Sequence, residues 1–145
     1  MSQAKTSTHF TKAHLLGEVA WLMAHSELHH KWPVGALQQW VATPLLRGQF
    51  RLYHQANGQP VGYVSWAFFN EDAELRYQKD SQAVQPADWN SGDRLWVIDF
   101  VAPFGHGKKI VNDLATNIFP SRTGKALRIG KNGRMRVIEM TGKSN

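Results

Sequence analysis

The stretch "RLWVIDFVAPFGHGKK", residues 94–109, constrains the fold more than any other. Its apolar side chains fall on both alternating faces, Trp96, Ile98 and Phe100 on one and Val97 and Val101 on the other. A strand of this kind needs cover above and below, so it belongs in the middle of a sheet. Asp99 interrupts the second face. A carboxylate there is unfavourable by several kcal/mol, to order of magnitude, unless it is paired or reached by water through a cleft. The residues alone leave two readings open: a structural aspartate held by an arginine or backbone amides, and a functional one. Gly105 and Gly107 then turn the chain into a helix, "KIVNDLATNIF". Such a turn presents backbone N–H groups suited to a phosphate or another anion, although many strand-to-helix turns use glycine without binding anything.

The elements around this strand read in order. "HLLGEVAWLMAH", residues 14–25, places Leu15, Val19, Leu22 and Met23 at helical spacing with Trp21 on the flank. A second helix is expected to begin at Pro33, to turn Leu37, Trp40 and Val41 inward, and to end at Pro44. Two adjacent histidines, His29 and His30, therefore fall in the bend between helices. "FRLYHQANGQPVGYVSWAFF", residues 50–69, predicts a hairpin with Asn57 and Gly58 supplying positive φ. "NEDAELRYQ" predicts a short helix capped by Asn70, and "AVQPADWNSGD" a loop. "KALRIGKNGRMRVIEM" predicts a second hairpin around Asn132-Gly133, carrying Lys125, Arg128, Lys131, Arg134 and Arg136 in a register that the sequence leaves open. The result is an α+β chain with a largely antiparallel central sheet flanked by helices: residues 1–13 as a disordered lead and residues 14–145 as one domain.

Charge and composition narrow the function. Residues 1–99 carry 8 Lys or Arg against 9 Asp or Glu, whereas residues 100–145 carry 9 against 2. The basic excess of the last third points to an acidic partner: a phosphate-bearing cofactor, nucleic acid or an acidic protein. With no cysteine, the chain has no disulfide, no thiolate zinc site and no cysteine nucleophile. Its seven histidines show no metal-ligand spacing beside a carboxylate, so no metal is expected. No apolar run is long enough to span a membrane, and the polar start lacks a signal core, which predicts a cytoplasmic protein. The six tryptophans read mainly as core.

Several stretches together resemble one family. "LGEVAWLMAHSELHHKWPV", "GQFRLYHQANGQPVGYVSWAF", "DWNSGDRLWVIDFVAPFGHG" and the "FP" at 119–120 are similar, collinearly over roughly residues 15–130, to the toxin-activating lysine acyltransferases of repeats-in-toxin (RTX) protoxins. The resemblance implies a fold related to the GCN5-type N-acetyltransferases. It implies transfer of a fatty acyl group from acyl carrier protein to internal lysines of a protoxin, with no permanently bound cofactor, and a homodimer. It also implies a catalytic histidine before "WP" and an aspartate before "APFG", which fall on His29 and Asp99. One departure stands beside them: the family carries Arg after that histidine where this chain has His30. Gly105 and Gly107 are the positions where a phosphopantetheine arm would approach the backbone.

The chemistry suits those two positions. A lysine amine, with a reference pKa of about 10.4, is almost wholly protonated near neutrality and must lose a proton to attack a thioester. Histidine is a fitting acceptor, and a carboxylate can orient the imidazole, stabilise its cation or position the incoming ammonium. A nucleophilic histidine forming an acyl-imidazole is the competing mechanism. His30 reads as a polar side chain facing away, and His25, His54 and His106 as surface or turn residues. Two other functions compete: an acetyl-coenzyme A-dependent N-acetyltransferase, from the same strand, glycine turn and helix, and a basic nucleic-acid-binding module. The basic run lacks interleaved aromatic stacking positions, which speaks against nucleic acid.

Overall fold

The computed structural model describes residues 11–130 and 132–144. Helix α1 (Lys12–Ala24) starts two residues before the expected position, because the Thr11 hydroxyl caps it by accepting from the His14 N–H at 3.0 Å. Residues 1–10 of the expected lead lie outside the described residues. Val19, Leu22 and Met23 of α1 are buried and Trp21 stays exposed. A tight connector leads to α2, residues 35–47, which comprises Gly35–Leu37, a π-helical turn Gln38–Ala42 and Thr43–Arg47.

Pro44 does not end α2, as expected, but lies buried inside it. A proline has no N–H to give and its ring crowds the carbonyl four residues back. The wider π turn directly before it accommodates both defects, so the helix runs on to Gly48, which ends it at φ +69°.

The remaining elements are β1 (Phe50–His54), β2 (Pro60–Phe69), α3 (Glu71–Lys79), β3 (Arg94–Val101), α4 over residues 107–118, β4 (Thr123–Ile129) and β5 (Met135–Thr141). Asn70 caps α3 as expected, accepting from the Ala73 N–H at 2.8 Å. The loop before β3 contains a single 3-10 turn, Pro86–Trp89. In the β1–β2 hairpin only Gly58 takes positive φ, +90°. Asn57 instead accepts from the Gln59 N–H through its side chain, which makes the connection a wider loop than a two-residue turn.

The strands form one sheet in the order β1-β2-β3-β4-β5, antiparallel except for β3–β4. The expected central strand is therefore the third of five. Helices α1, α2 and α3 cover one face, over Tyr63, Ala67, Phe69, Trp96 and Val101. Helix α4 covers the other, where Ile110 and Leu114 pack on Val64, Trp66, Leu95, Val97 and Ala126.

The simple alternation expected along β3 fails in its second half. Trp66 pairs with Val97 and Ser65 with Asp99, so Ile98 has no counterpart on β2. This bulge inverts the alternation beyond it. Phe100 packs on the α4 side and Val101 on the side of Trp96, the reverse of the sequence reading. Ile98 and Asp99 accordingly open into the same cleft. The parallel ladder between β3 and β4 contains only Trp96↔Lys125 and Val97↔Ala126, so the two strands part just where Ile98 and Asp99 begin.

Glu74 ties α3 to this part of the sheet. Burial opposes its ionisation, but hydrogen bonds from Trp96 Nε1 (2.8 Å) and Arg94 (2.7 Å), with Lys125 Nζ at 3.4 Å, outweigh that and hold its carboxyl below the ordinary value. A carboxyl depressed by folding stabilises the native state above its unfolded pKa, and that contribution is lost as pH falls from about 4.3 towards the folded value. Glu74→Gln is expected to lower the thermal unfolding midpoint at pH 7, and the gap from the parent chain to shrink below about pH 4. Circular-dichroism melts across that range measure both.

Candidate active site

The connector between α1 and α2 is a compact turn. The His29 and His30 N–H groups both donate to the Ser26 carbonyl (3.2 and 2.9 Å), and the Trp32 N–H donates to the His29 carbonyl at 3.0 Å. This winding separates the two histidines. His30 is exposed, whereas His29 is only 6% exposed, with its ring against the edge of Trp32 at 4.7 Å. His29 is thereby brought to Asp99, 70 residues later, with Nε2 3.3 Å from Oδ1. Asp99 is 7% exposed, and its backbone N–H donates to the Ser65 hydroxyl at 3.2 Å.

The two ring nitrogens of His29 have different neighbours. Nδ1 lies 2.7 Å from the Ser26 hydroxyl. A hydroxyl both donates and accepts, so Ser26 supports either neutral tautomer of the ring, while the Asp99 carboxylate accepts only. The neutral ring that makes the 3.3 Å bond to Asp99 carries its proton on Nε2 and accepts the Ser26 hydroxyl proton at Nδ1; the other tautomer, with Nδ1–H donating to Ser26, frees the Nε2 lone pair once a donor stands between it and Asp99. When the ring is charged, Nε2–H donates to Asp99 and Nδ1–H to Ser26. The arrangement can thus accept a proton and hold the resulting cation without moving the ring.

Two buried polar atoms at this place have no hydrogen-bond partner among the described residues: Asp99 Oδ2 and the Tyr63 hydroxyl. Burial, reinforced by the Asp99 charge, pushes the Tyr63 hydroxyl far above the ordinary phenol range, so it stays protonated. A buried carboxylate oxygen with spare acceptor capacity is suited to a cationic or N–H-bearing substrate group.

Asp99 and His29 form one wall of a cavity of ≈ 380 Å³. Trp32, Ala36 and Trp40 line it from the α2 side, Ile98 and Leu127 from the parted strands, and Tyr77 from α3. The lining is mostly apolar, in keeping with a site that holds a hydrocarbon part next to a polar reacting centre. Around the mouth Leu28, Ile129 and Met135 are exposed.

Gly105 and Gly107 do not line this cavity. Gly105 lies in the turn from β3 to α4 at φ +93°, a conformation that favours glycine, where an added Cβ would meet nothing, and Gly107 is the first residue of α4. His106 between them is half-buried, with Nδ1 unpartnered. His25 and His54 are exposed, His54 beside Glu18 at 3.1 Å. Among the described residues no three His, Asp or Glu side chains are grouped to hold a metal, and no helix is long and apolar enough to cross a membrane. The hairpin cations are now in register. Lys125 reaches Glu74, whereas Arg128 and Arg136 stand directly opposite one another and make no ion pair among the described residues. Lys131 lies outside the described residues.

A buried histidine–carboxylate centre on the wall of an apolar cleft, in an α+β fold, is the class of site this chain presents. The sequence profile of the RTX toxin acyltransferase family matches residues 8–141, and the chain belongs to that family. It is 38% identical over 115 residues to the RTX-II toxin-activating lysine-acyltransferase ApxIIC of Actinobacillus pleuropneumoniae, covering 79% of this chain and 71% of the relative. It is 36% identical over 131 residues to the protein-lysine palmitoyltransferase CyaC of Bordetella bronchiseptica, covering 89% and 70%. An uncharacterized protein of Synechocystis sp. is 36% identical over 121 residues, covering 83% and 82%.

Sequence reasoning missed Ser26, although a serine three residues before a histidine in a turn was a readable signal. It also missed the contribution of β4 and β5 to the cleft, for which the sequence carried no register. Ser26→Ala removes the partner of His29 Nδ1, and its expected effect is a loss of about tenfold in kcat with KM little changed, the size of one hydrogen bond. Steady-state kinetics of acyl transfer measures it, with the unfolding midpoint as the control for structure.

Proposed function

We propose that this chain transfers a fatty acyl group from acyl carrier protein to the ε-amine of internal lysines of an RTX protoxin, in the cytoplasm. The observation that carries the reading is the buried His29 Nε2–Asp99 Oδ1 contact, with Asp99 Oδ2 unpartnered, on the wall of an apolar cleft. Membership of the family and the names of its characterised relatives supply the reaction class.

The lysine ammonium is held by Asp99 Oδ2 and gives a proton to His29 Nε2, whose opposite nitrogen is then bonded to Ser26. The freed amine attacks the thioester carbonyl carbon. As the new C–N bond forms and the C–S bond breaks, the nitrogen gives up its second proton to solvent, and the imidazolium passes the first to the departing pantetheine thiolate. His29 acts as general base and then general acid, and Asp99 positions the ammonium and stabilises the imidazolium. A fold related to the GCN5-type N-acetyltransferases is supported by the parallel pair β3–β4, which parts beyond Val97 and Ala126 beside the bulge at Ile98. The thioester arm enters through that opening, past Gly105 and Gly107. An acidic carrier suits the unpaired Arg128 and Arg136 at the β4–β5 end.

His29→Gln and Asp99→Asn are each expected to lower transfer by roughly 10²- to 10⁴-fold while the circular-dichroism spectrum stays that of the parent. Intact-mass analysis of a protoxin fragment incubated with acyl-acyl carrier protein or acetyl-coenzyme A measures transfer and donor together. Acylation from coenzyme A alone would replace the carrier by the acetyltransferase reading. Raising salt is expected to raise KM for the carrier donor more than kcat falls, since the docking charges are exposed.

A further inference from the structure

The apolar cleft has a direction. Trp32, Ala36 and Trp40 come after His29, spaced at four-residue intervals, and all line the cleft, Ala36 and Trp40 about one turn apart on α2. The opposite wall runs back along β3 from Asp99 and Ile98 to Tyr77, whose ring packs on Trp96 at 5.3 Å. The trough thus starts at the reacting centre and ends between Trp40 and Tyr77. Trp40 is 6% exposed and fixed edge-on against Trp89 at 6.3 Å, so that end is rigid. Midway, Ala36 contributes only a methyl group, and the width of the trough depends on it.

We propose that this trough is the acyl-chain subsite and that Ala36 and Trp40 determine the chain length it accepts. The inference rests on the acyltransfer reading above and deepens it. The thioester carbonyl lies at His29 and Asp99, and the chain extends towards Trp40. Each methylene that finds room in the trough strengthens binding by about fourfold, and each one that meets Trp40 gains nothing or is forced out to water. Ala36 and Trp40 act as specificity residues and take no part in proton transfer.

The test compares kcat/KM for a series of saturated acyl-acyl carrier proteins of increasing length in the parent chain, Ala36→Phe and Trp40→Phe. Ala36→Phe narrows the trough, and the profile is expected to move to shorter chains, with at least about a fourfold change in the ratio of long to short donors. Trp40→Phe shortens the end wall while keeping an aromatic ring against Trp89, and the profile is expected to move the other way. Folded variants that keep the parent's length profile would overturn the proposal. A second measurement is independent of turnover. A pantetheine thioester with a terminally brominated acyl chain is expected to quench tryptophan fluorescence in the parent chain, through Trp32 and Trp40, and to do so less in Ala36→Phe. If no donor is used by the parent chain, the reaction reading fails while the quenching still decides the subsite. Displacement of the brominated chain by a lysine-bearing protoxin peptide would assign the trough to the acceptor and overturn the proposal.

Discussion

A carboxylate buried in the covered face of a central strand can persist only if the surrounding fold answers its charge. Three features around Asp99 place it where that can happen, and one of them meets the carboxylate. The bulge at Ile98 turns it to the α1–α2 side, the Ser65 hydroxyl accepts from its backbone N–H, and the α1–α2 connector delivers His29 to its side chain. Each depends on the next. Without the bulge, the strict alternation of β3 would aim Asp99 into the apolar layer beneath α4, among Val97, Ile110 and Leu114. Removing one member of such a buried pair typically costs about 3–5 kcal/mol, because the other is left uncompensated. Among the described residues Oδ2 has no hydrogen-bond partner, and that spare acceptor is what the proposed lysine contact rests on.

The same strand defines the cleft. Because β3 and β4 share only two residue pairs before they part, the sheet itself opens beside the histidine, and hydrocarbon side chains from α2, α3 and the β4–β5 hairpin enclose the space. Glu74 braces the paired side of this opening, since it holds Arg94 and Trp96 of β3 and reaches Lys125 of β4, one pair before the strands part. Rigid support thus stands on one side of the splay and open space on the other.

How much of this was legible depended on the range of the interactions. Helix α3 and its Asn70 cap, the two hairpins and the central position of β3 follow from local periodicity and turn chemistry. Pro44 was misread because the rule that proline ends a helix holds for regular geometry, and the π turn preceding it is not regular. The faces of β3 were misread beyond Ile98 because a bulge leaves no mark in a run of uniformly apolar residues. His29 and Asp99 were singled out by their resemblance to a family and not by their spacing. Residue chemistry alone left His29 and His30 equivalent, and only the winding of the connector sends one inward and the other out.

The kinds of element, the absence of thiol chemistry, the basic last third and, through long matching strings, the family can all be read from the order of residues. This is because propensities, caps and composition act over a few residues, and because residue identities are carried directly in the chain. Which face Asp99 takes, the contacts of His29 with Ser26 and Asp99, and the shared trough of Ala36, Trp40 and Leu127 come from the three-dimensional fold. These depend on strand register and on contacts between residues tens of positions apart, and a one-residue shift in pairing exchanges inside for outside without altering any local pattern.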